Sequence, residues 1–137
     1  MSEHRDCTIR FPKAQTAILD DYPRLEEPLA ENEVEGRTLY SLVSAGTEMN
    51  VYLGNYEKQG LKWGRFPFIP GYAAVMEVEK VGSAVTHVKP GDKAYCVGLH
   101  SSWQRLPGHK VITIPDSITV AEGCYARMMN ITWSALT

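Results

Sequence analysis

One long strand with a tight turn behind it constrains the fold of this 137-residue chain more than any other feature. Residues 72–81 are rich in β-branched and apolar side chains, which pack well on a pleated surface and favour a strand over a helix. Residues 89–92 read Lys-Pro-Gly-Asp. Because proline presets φ and glycine supplies a positive φ, this segment predicts a type II turn. A short strand is predicted directly after it, over 93–97.

The rest of the chain predicts more short strands and few helices. Two short strands or one strand bent at Pro12 are expected over 8–19, and further strands over 34–44, 103–106 and 111–114. Thr47 is expected to act as the N-cap of a short helix that Gly54 terminates, and a surface loop is expected over 55–65. The chain is therefore predicted to be mainly β (β-rich α+β), as a partly open β-barrel with short helices.

The C-terminal residues predict a helical tail. Thr119 and Glu122 have the spacing of a capping box, in which each residue satisfies a backbone donor of the other. The tail is expected to continue from there to residue 137. Its buried stripe is predicted to consist of Val120, Cys124, Met128, Ile131 and Leu136.

Composition and charge argue against several classes of function. The formal net charge is -2 with no long run of one sign, which is untypical of a nucleic-acid groove or a basic membrane face. No apolar stretch approaches the roughly 20 residues that span a bilayer, and the polar N-terminus lacks a signal-peptide core. A cytoplasmic location is therefore expected. The three widely spaced cysteines do not suggest a disulfide framework, and there is no CxxC pair.

Three blocks of the sequence, in order, resemble the medium-chain dehydrogenase/reductase family. Residues 41–48 (Ser-Leu-Val-Ser-Ala-Gly-Thr-Glu) are similar to the family segment that ends in Cys-Gly-Thr/Ser-Asp. Residues 70–82 are similar to its Pro-Gly-His-Glu segment and the following strand, and a third block runs over 88–116. The resemblance implies a GroES-like substrate domain over 1–118 and linking helices over 119–137 that lead toward a Rossmann domain.

The resemblance also implies a function. The chain would be the N-terminal, substrate-side domain of an oxidoreductase that transfers hydride between nicotinamide and an alcohol, a carbonyl or an activated double bond. NAD or NADP would bind another domain, because the sequence has no Gly-x-Gly-x-x-Gly motif to hold a pyrophosphate, and residues 1–137 alone would be inactive. The expected partners are a small-molecule substrate and a Rossmann half, in the same chain or a separate one.

Two further expectations concern assembly. Exposed strand edges favour a homodimer, since an unpaired edge offers free backbone donors and acceptors. An alternative from another class of function is a stand-alone GroES-like module that binds or assembles without catalysis.

The family's catalytic zinc ligands have no counterparts at the matching positions. Ala45 stands at the cysteine, Asn50 at the following histidine, and Tyr72 and Ala73 at the histidine and glutamate of Pro-Gly-His-Glu. A catalytic zinc needs three protein N, S or O ligands and one open position. We therefore expect no zinc and a zinc-independent reaction.

Three residues are candidates for catalysis on this resemblance. Thr47 matches the family hydroxyl that hydrogen-bonds the substrate oxygen and passes a proton. Tyr72 would donate a hydrogen bond to a carbonyl oxygen, or else fill the space left by the metal. His100 would act as a general acid or base, or pair with Cys96 to bind a metal or activate the thiol; a solvated loop histidine is the alternative.

Three more residues are candidates for substrate binding, each with a structural alternative. Glu48 would contact substrate or stabilise the first turn of its helix through the helix dipole. Asn50 would bind substrate or satisfy a loop backbone. Trp63 would line an apolar cleft or serve as a packing anchor.

Overall fold

Seven strands and four α-helices make up residues 6–136, the part of the chain that a computed structural model describes. The strands are β1 (Cys7–Lys13), β2 (Thr16–Asp21), β3 (Glu33–Ser41), β4 (Ala74–Val81), β5 (Lys93–Cys96), β6 (Trp103–Pro107) and β7 (Val111–Thr113). The helices are α1 (Thr47–Tyr52), α2 (Asn55–Lys58), α3 (Val120–Gly123) and α4 (Ala126–Leu136), and a 3-10 turn covers Gly108–Lys110. The predicted β-rich fold with short helices is confirmed.

The strands form an open sheet and a separate hairpin. Five strands pair antiparallel in the order β6-β3-β4-β5-β7, and β1 pairs with β2. The edge strands β6 and β7 do not pair with each other, so the barrel is partly open, as predicted. The hairpin joins the barrel through bridges from Thr8 to Ser101 and from Phe11 to Phe68.

The structure decides between the two predictions for the N-terminal region: it contains two strands. They are joined by a turn at which Gln15 has a φ of 57°. Pro12 lies within β1, where the register with β2 shifts between Arg10 and Lys13. A proline is tolerated there because an irregular pairing does not need its missing N–H.

The main apolar core lies on one face of the central strand β4, and α3 covers the opposite face. Alternate β4 residues, Ala74, Met76 and Val78, belong to the main apolar cluster. Val75 points to the opposite face and is also fully buried. A Cβ atom at Gly123 of α3 would lie 3.1 Å from Val75, so the helix backbone covers this side of the sheet.

Several local predictions hold. The type II turn is confirmed by the positive φ of Gly91 (91°) and by the Asp92 N–H bond to the Lys89 carbonyl at 3.1 Å. The capping box is confirmed as well, since Glu122 N–H donates to Thr119 Oγ1 and Thr119 N–H to Glu122 Oε2.

Other local predictions are wrong. Gly46, not Thr47, is the N-cap of α1, and no side chain of the described residues caps that helix. The predicted loop over 55–65 begins with helix α2. The C-terminal tail is broken into two helices. Of the five residues in its predicted stripe only Cys124 is buried, and two are exposed, Ile131 at 44% and Leu136 at 78%. The reason is that α3, not α4, packs on the sheet, so Cys124 is buried and the later residues are not.

Within residues 6–136, none of the helices combines the length and the apolar character that a bilayer crossing requires.

Candidate functional site

Three loop segments, 41–48, 70–73 and 99–101, converge at one end of the barrel. The Leu42 N–H donates to the Ala73 carbonyl at 2.9 Å, which ties the first segment to the second. The His100 N–H donates to the Pro70 carbonyl at 3.0 Å, which ties the second segment to the third. Strand β1 supports the third segment, because the Ile9 N–H donates to the His100 carbonyl at 2.9 Å. These main-chain bonds place the side chains of the site.

Gly71 makes the close approach of two of these segments feasible. Its φ is +119°, a conformation that side-chain-bearing L residues rarely adopt. A Cβ atom here would lie 2.3 Å from the His100 nitrogen and 2.5 Å from the Leu99 carbonyl carbon. A glycine at this position therefore sets where His100 stands.

His100 lies at the centre of a buried hydrogen-bond network. Its Nε2 is 2.9 Å from Glu48 Oε1, and its Nδ1 is 2.9 Å from Ser41 Oγ. The side chains of His100 and Glu48 are only 7% and 4% exposed. Glu48 Oε2 also accepts the Ser44 N–H at 2.6 Å, so both carboxylate oxygens are bonded.

The network favours one arrangement of protons. An ionised Glu48 can only accept hydrogen bonds, so Nε2 of His100 carries a hydrogen and donates it. In the neutral ring, Nδ1 is then the acceptor and Ser41 the donor. In the imidazolium, Nδ1 donates to Ser41 instead. The hydroxyl can take either role, so the ring can change protonation state without breaking a hydrogen bond.

The predicted pairing of His100 with Cys96 does not form. Both ring nitrogens bond other residues, as described above. Burial raises the pKa of the Cys96 thiol to about 12, so Cys96 stays protonated at neutral pH. A thiol of this kind is neither an activated nucleophile nor a ready metal ligand.

Thr47 and Asn50 lie on α1 beside this network. Thr47 directly precedes Glu48 and is half-buried. The Asn50 side chain bonds protein on both ends: its Nδ2 donates to the Gly46 carbonyl at 2.9 Å, and its Oδ1 accepts from Asn55 at 2.8 Å. These bonds connect α1 to α2, which is the structural role that the sequence left open for Asn50.

Tyr72 lies in the segment that Gly71 brings against His100, and it is half-buried. Its carbonyl faces the hydroxyl of Tyr95 at 3.5 Å. Burial raises the pKa of the Tyr95 phenol, and the positive charge of Arg127 opposes that rise. Arg127 belongs to α4, so this helix places a positively charged side chain near Tyr95.

Trp63 lies apart from the other five predicted site residues. Its ring packs against Tyr56 at 5.4 Å and Phe68 at 5.5 Å, in a cluster that continues to Phe11. It is 52% exposed. The structure thus brings Thr47, Glu48, Tyr72 and His100 to one end of the barrel and places Trp63 in a separate aromatic cluster.

The residues at the family's zinc positions do not fit a zinc ion. Ala45 and Ala73 have no ligand atom, and the Asn50 amide is already bonded on both sides. Among residues 6–136 there is no group of three or more His, Cys, Asp or Glu side chains arranged to hold a metal.

Sequence reasoning missed Ser41, Tyr95 and Arg127 at this end of the molecule. Ser41 and His100 are 59 positions apart, and nothing in the sequence indicates that they touch. Ser41 does begin the first block that carries the family resemblance, which was the one available signal.

A groove of about 480 Å³ lies elsewhere, between the turn at Gly91 and the start of α3. Its lining mixes charged residues such as Asp92 and Asp116 with apolar ones such as Ile118. None of the six predicted site residues is among them. We assign the site by its chemistry and not by the size of this groove.

Comparison with known proteins identifies the family. The sequence profile of the alcohol dehydrogenase GroES-like domain matches residues 41–137. The chain belongs to this family. The resemblance to medium-chain dehydrogenases and reductases is thereby confirmed, and so is the predicted GroES-like domain.

Solved structures share the fold of this GroES-like domain at low sequence identity. The human synaptic vesicle membrane protein VAT-1 homolog-like protein has a TM-score of 0.78 at 17% identity, over 96% of this chain and 42% of that one. A quinone oxidoreductase from Pseudomonas syringae pv. Tomato DC3000 gives 0.74 at 20%, over 96% and 40%. The CurF ER cyclopropanase from the curacin A biosynthetic pathway gives 0.75 at 21%, over 93% and 41%.

A curated relative adds a further comparison. The highly reducing polyketide synthase Preu5 from Preussia isomera is 28% identical over 102 residues, which cover 72% of this chain and 4% of that protein. The chain thus spans about two fifths of the length of the similar structures and a small part of the synthase.

Proposed function

We propose that this GroES-like domain is the substrate side of a zinc-independent, NAD(P)-dependent reductase that acts on an activated double bond. The observation that carries the proposal is the buried pair of His100 and Glu48, with Ser41 at its exposed end. A buried histidine–carboxylate pair that is linked to an exposed hydroxyl is suited to moving protons. Reduction of a double bond next to a carbonyl requires a proton in addition to the hydride.

Similarity supports this choice among the reactions of the family. Relatives of the fold include quinone oxidoreductases, one solved with NADPH from Escherichia coli, and the CurK enoyl reductase. A quinone and an enoyl group each contain a double bond conjugated to a carbonyl. We therefore favour a quinone or an α,β-unsaturated acyl compound over a simple alcohol.

The roles of the site residues follow from their positions. The Thr47 hydroxyl, beside Glu48, would donate a hydrogen bond to the substrate carbonyl oxygen. Tyr72, on the opposite segment, would donate a second one. Two such donors stabilise the negative charge that grows on this oxygen when hydride adds to the double bond. Glu48 and Asn50 shape the site from inside, and we assign them no direct contact with substrate.

Zinc independence is part of the proposal. In zinc-dependent relatives, the metal would polarise the substrate carbonyl; here hydroxyl groups would do so, since the zinc positions hold Ala45, Asn50, Tyr72 and Ala73. We expect turnover to survive a strong zinc chelator such as dipicolinate.

The cofactor would be held outside residues 1–137. When bound, the nicotinamide supplies the hydride. The sequence has no glycine-rich loop that opens a helix for the pyrophosphate. The exposed apolar side chains of α4, such as Met129 at 70% and Leu136 at 78%, are consistent with a nucleotide-binding unit that packs on this helix.

NADPH and NADH oxidation by the natural polypeptide that contains residues 1–137 tests the proposal. We expect turnover with a quinone or an enoyl thioester, unchanged by dipicolinate, and no NADPH binding by residues 1–137 expressed alone. Lack of oxidation of either nucleotide with both substrate classes would overturn it. Tight NADPH binding by residues 1–137 would contradict the proposed location of the cofactor site.

A further inference from the structure

We propose that Ser41 is the residue that hands a proton to the substrate, and that His100 and Glu48 form the relay that supplies it. This inference rests on the proposed function and adds to it the source of the proton. It assigns a catalytic role to Ser41, a residue whose type and sequence position alone do not single it out. His100 and Glu48 are positioning residues in this scheme.

The reaction creates the need for a proton. Hydride adds to the β-carbon of the activated double bond, and the electron pair of that bond moves toward the carbonyl to give an enolate. The reduction is completed when the α-carbon or the oxygen of the enolate takes up a proton. A hydroxyl that gives up its proton while it takes another from a neighbouring acid is suited to this step.

The three side chains form a continuous path from the interior to the surface. The side chains of Glu48 and His100 are buried, whereas Ser41, the last residue of β3, is exposed. The two successive contacts are each 2.9 Å, which is within hydrogen-bond reach for proton transfer. Ser41 is thus the member of the network that a substrate can reach.

The contacts of His100 join one charged group and one hydroxyl to its ring. Glu48 faces Nε2 from α1, and Ser41 faces Nδ1 from β3. The main chain of His100 is held by the Pro70 carbonyl and by Thr8 Oγ1 of β1, at 3.0 and 3.2 Å, and neither group is charged. Nε2 thus faces the Glu48 carboxylate, and Nδ1 faces the Ser41 hydroxyl through which the proposed relay runs.

The step balances in atoms and charge. The imidazolium gives its Nδ1 proton to Ser41 Oγ while the Ser41 hydroxyl proton moves to the enolate. The ring ends neutral with hydrogen on Nε2, still bonded to Glu48. The product has gained one hydride from the nicotinamide and one proton, and water later returns a proton to the ring through Ser41.

The Ser41 hydroxyl is the hydrogen-bond partner of Nδ1 in a buried ring, yet Ser41 itself is exposed. The buried carboxylate is already satisfied by the His100 ring and by the Ser44 N–H. The Ser41 contact adds little to burial, because Ser41 lies at the surface. Ser41 therefore links the buried ring to the surface of the domain.

Steady-state kinetics of three variants test the proposal in the natural polypeptide. We expect Ser41→Ala to lower kcat about 100-fold with KM changed less than about twofold, because general acid catalysis commonly contributes a factor of this size. Ser41→Thr keeps the hydroxyl and should recover most of the rate. Tyr40→Phe is the matched control, since Tyr40 is the exposed neighbour on the same strand and should retain the wild-type rate.

Nitrogen-15 NMR of labelled histidine gives a readout that does not depend on turnover. In Ser41→Ala, the Nδ1 resonance of His100 should move by several parts per million, because its hydrogen-bond partner is lost, while Nε2 changes less. His100→Gln identifies the resonance.

The outcomes separate the two proposals. A wild-type kcat in Ser41→Ala would overturn the relay and leave the proposed reductase standing. An unchanged Nδ1 resonance would overturn it as well, since the contact would then be absent in solution. A wild-type protein that oxidises neither nucleotide with either substrate class would overturn both.

Discussion

The loops around His100 and the helix α4 show two different ways in which this chain uses its side chains. The loops are tied together by main-chain bonds, and their central ionisable pair is satisfied within the domain. Helix α4 exposes large apolar groups, including Ile131 at 44% and Met129 at 70%. The hydrogen bonds of the first region are satisfied within the residues described. The outer face of α4 is not covered by those residues.

The comparison teaches which parts of the molecule tolerate change. A side chain at the site has close neighbours on several segments, so its replacement leaves a clash or an unpaired charge. A substitution on the outer face of α4 should change the free energy of unfolding little, because the side chain is largely exposed in this domain. We therefore expect substitutions in the two regions to differ by several kcal/mol in the free energy of unfolding.

The largest effect is expected at Gly71. Gly71→Ala puts a Cβ atom 2.3 Å from the His100 nitrogen in a backbone with positive φ, so the two segments must separate. We expect a loss of about 4 kcal/mol in urea unfolding. Gly60→Ala is the control: Gly60 also has a positive φ (73°), but a Cβ atom there meets nothing within 4 Å, so about 1 kcal/mol is expected. Equal losses in the two variants would show that crowding at Gly71 is unimportant.

The next effect is expected at the buried, hydrogen-bonded pair of His100 and Glu48. Glu48→Ala leaves His100 and the Ser44 N–H without their acceptor, and we expect about 3 kcal/mol of destabilisation. The charge-matched control is Glu77→Ala, which removes an exposed pair with Arg37 at 3.6 Å and should cost less than about 0.5 kcal/mol. If unfolding shows Glu48→Ala to be as mild as its control, the network does not hold the site together.

The smallest effect is expected on α4. Met129→Gln should change stability by less than about 0.5 kcal/mol, because the side chain is 70% exposed. Met76→Gln is its counterpart in the core, where Met76 is fully buried, and should cost about 3 kcal/mol. A large loss in Met129→Gln would mean that this face of α4 is covered in solution.

The fold was largely predictable because its signals are local. β-branched and apolar residues identified the strands. Pro90-Gly91 gave the turn, and Thr119 with Glu122 gave the capping box. The wrong predictions concern places where tertiary packing overrides local preference. Thr47 is a good N-cap residue, yet the chain turns into α1 one residue earlier, and the apolar stripe of α4 faces outward.

The candidate site was predictable only in part. The sequence pointed to Thr47, Glu48, Tyr72 and His100 through the family resemblance, and their catalytic and binding roles stay predictions. Nothing in the sequence indicated that the His100 ring would bond Glu48 and Ser41 rather than Cys96. The homodimer predicted from the exposed strand edges likewise stays a prediction.

The sequence by itself determined the strands, their turns, the family and the substitutions at the zinc positions, because each of these depends on residues close together in the chain. Only the tertiary structure decided which distant side chains meet. Ser41, Glu48 and His100 lie on β3, α1 and a loop before β6, and the glycine at position 71 lets the backbones approach closely enough to join them. A hydrogen bond across 59 residues is set by packing, which no local pattern encodes.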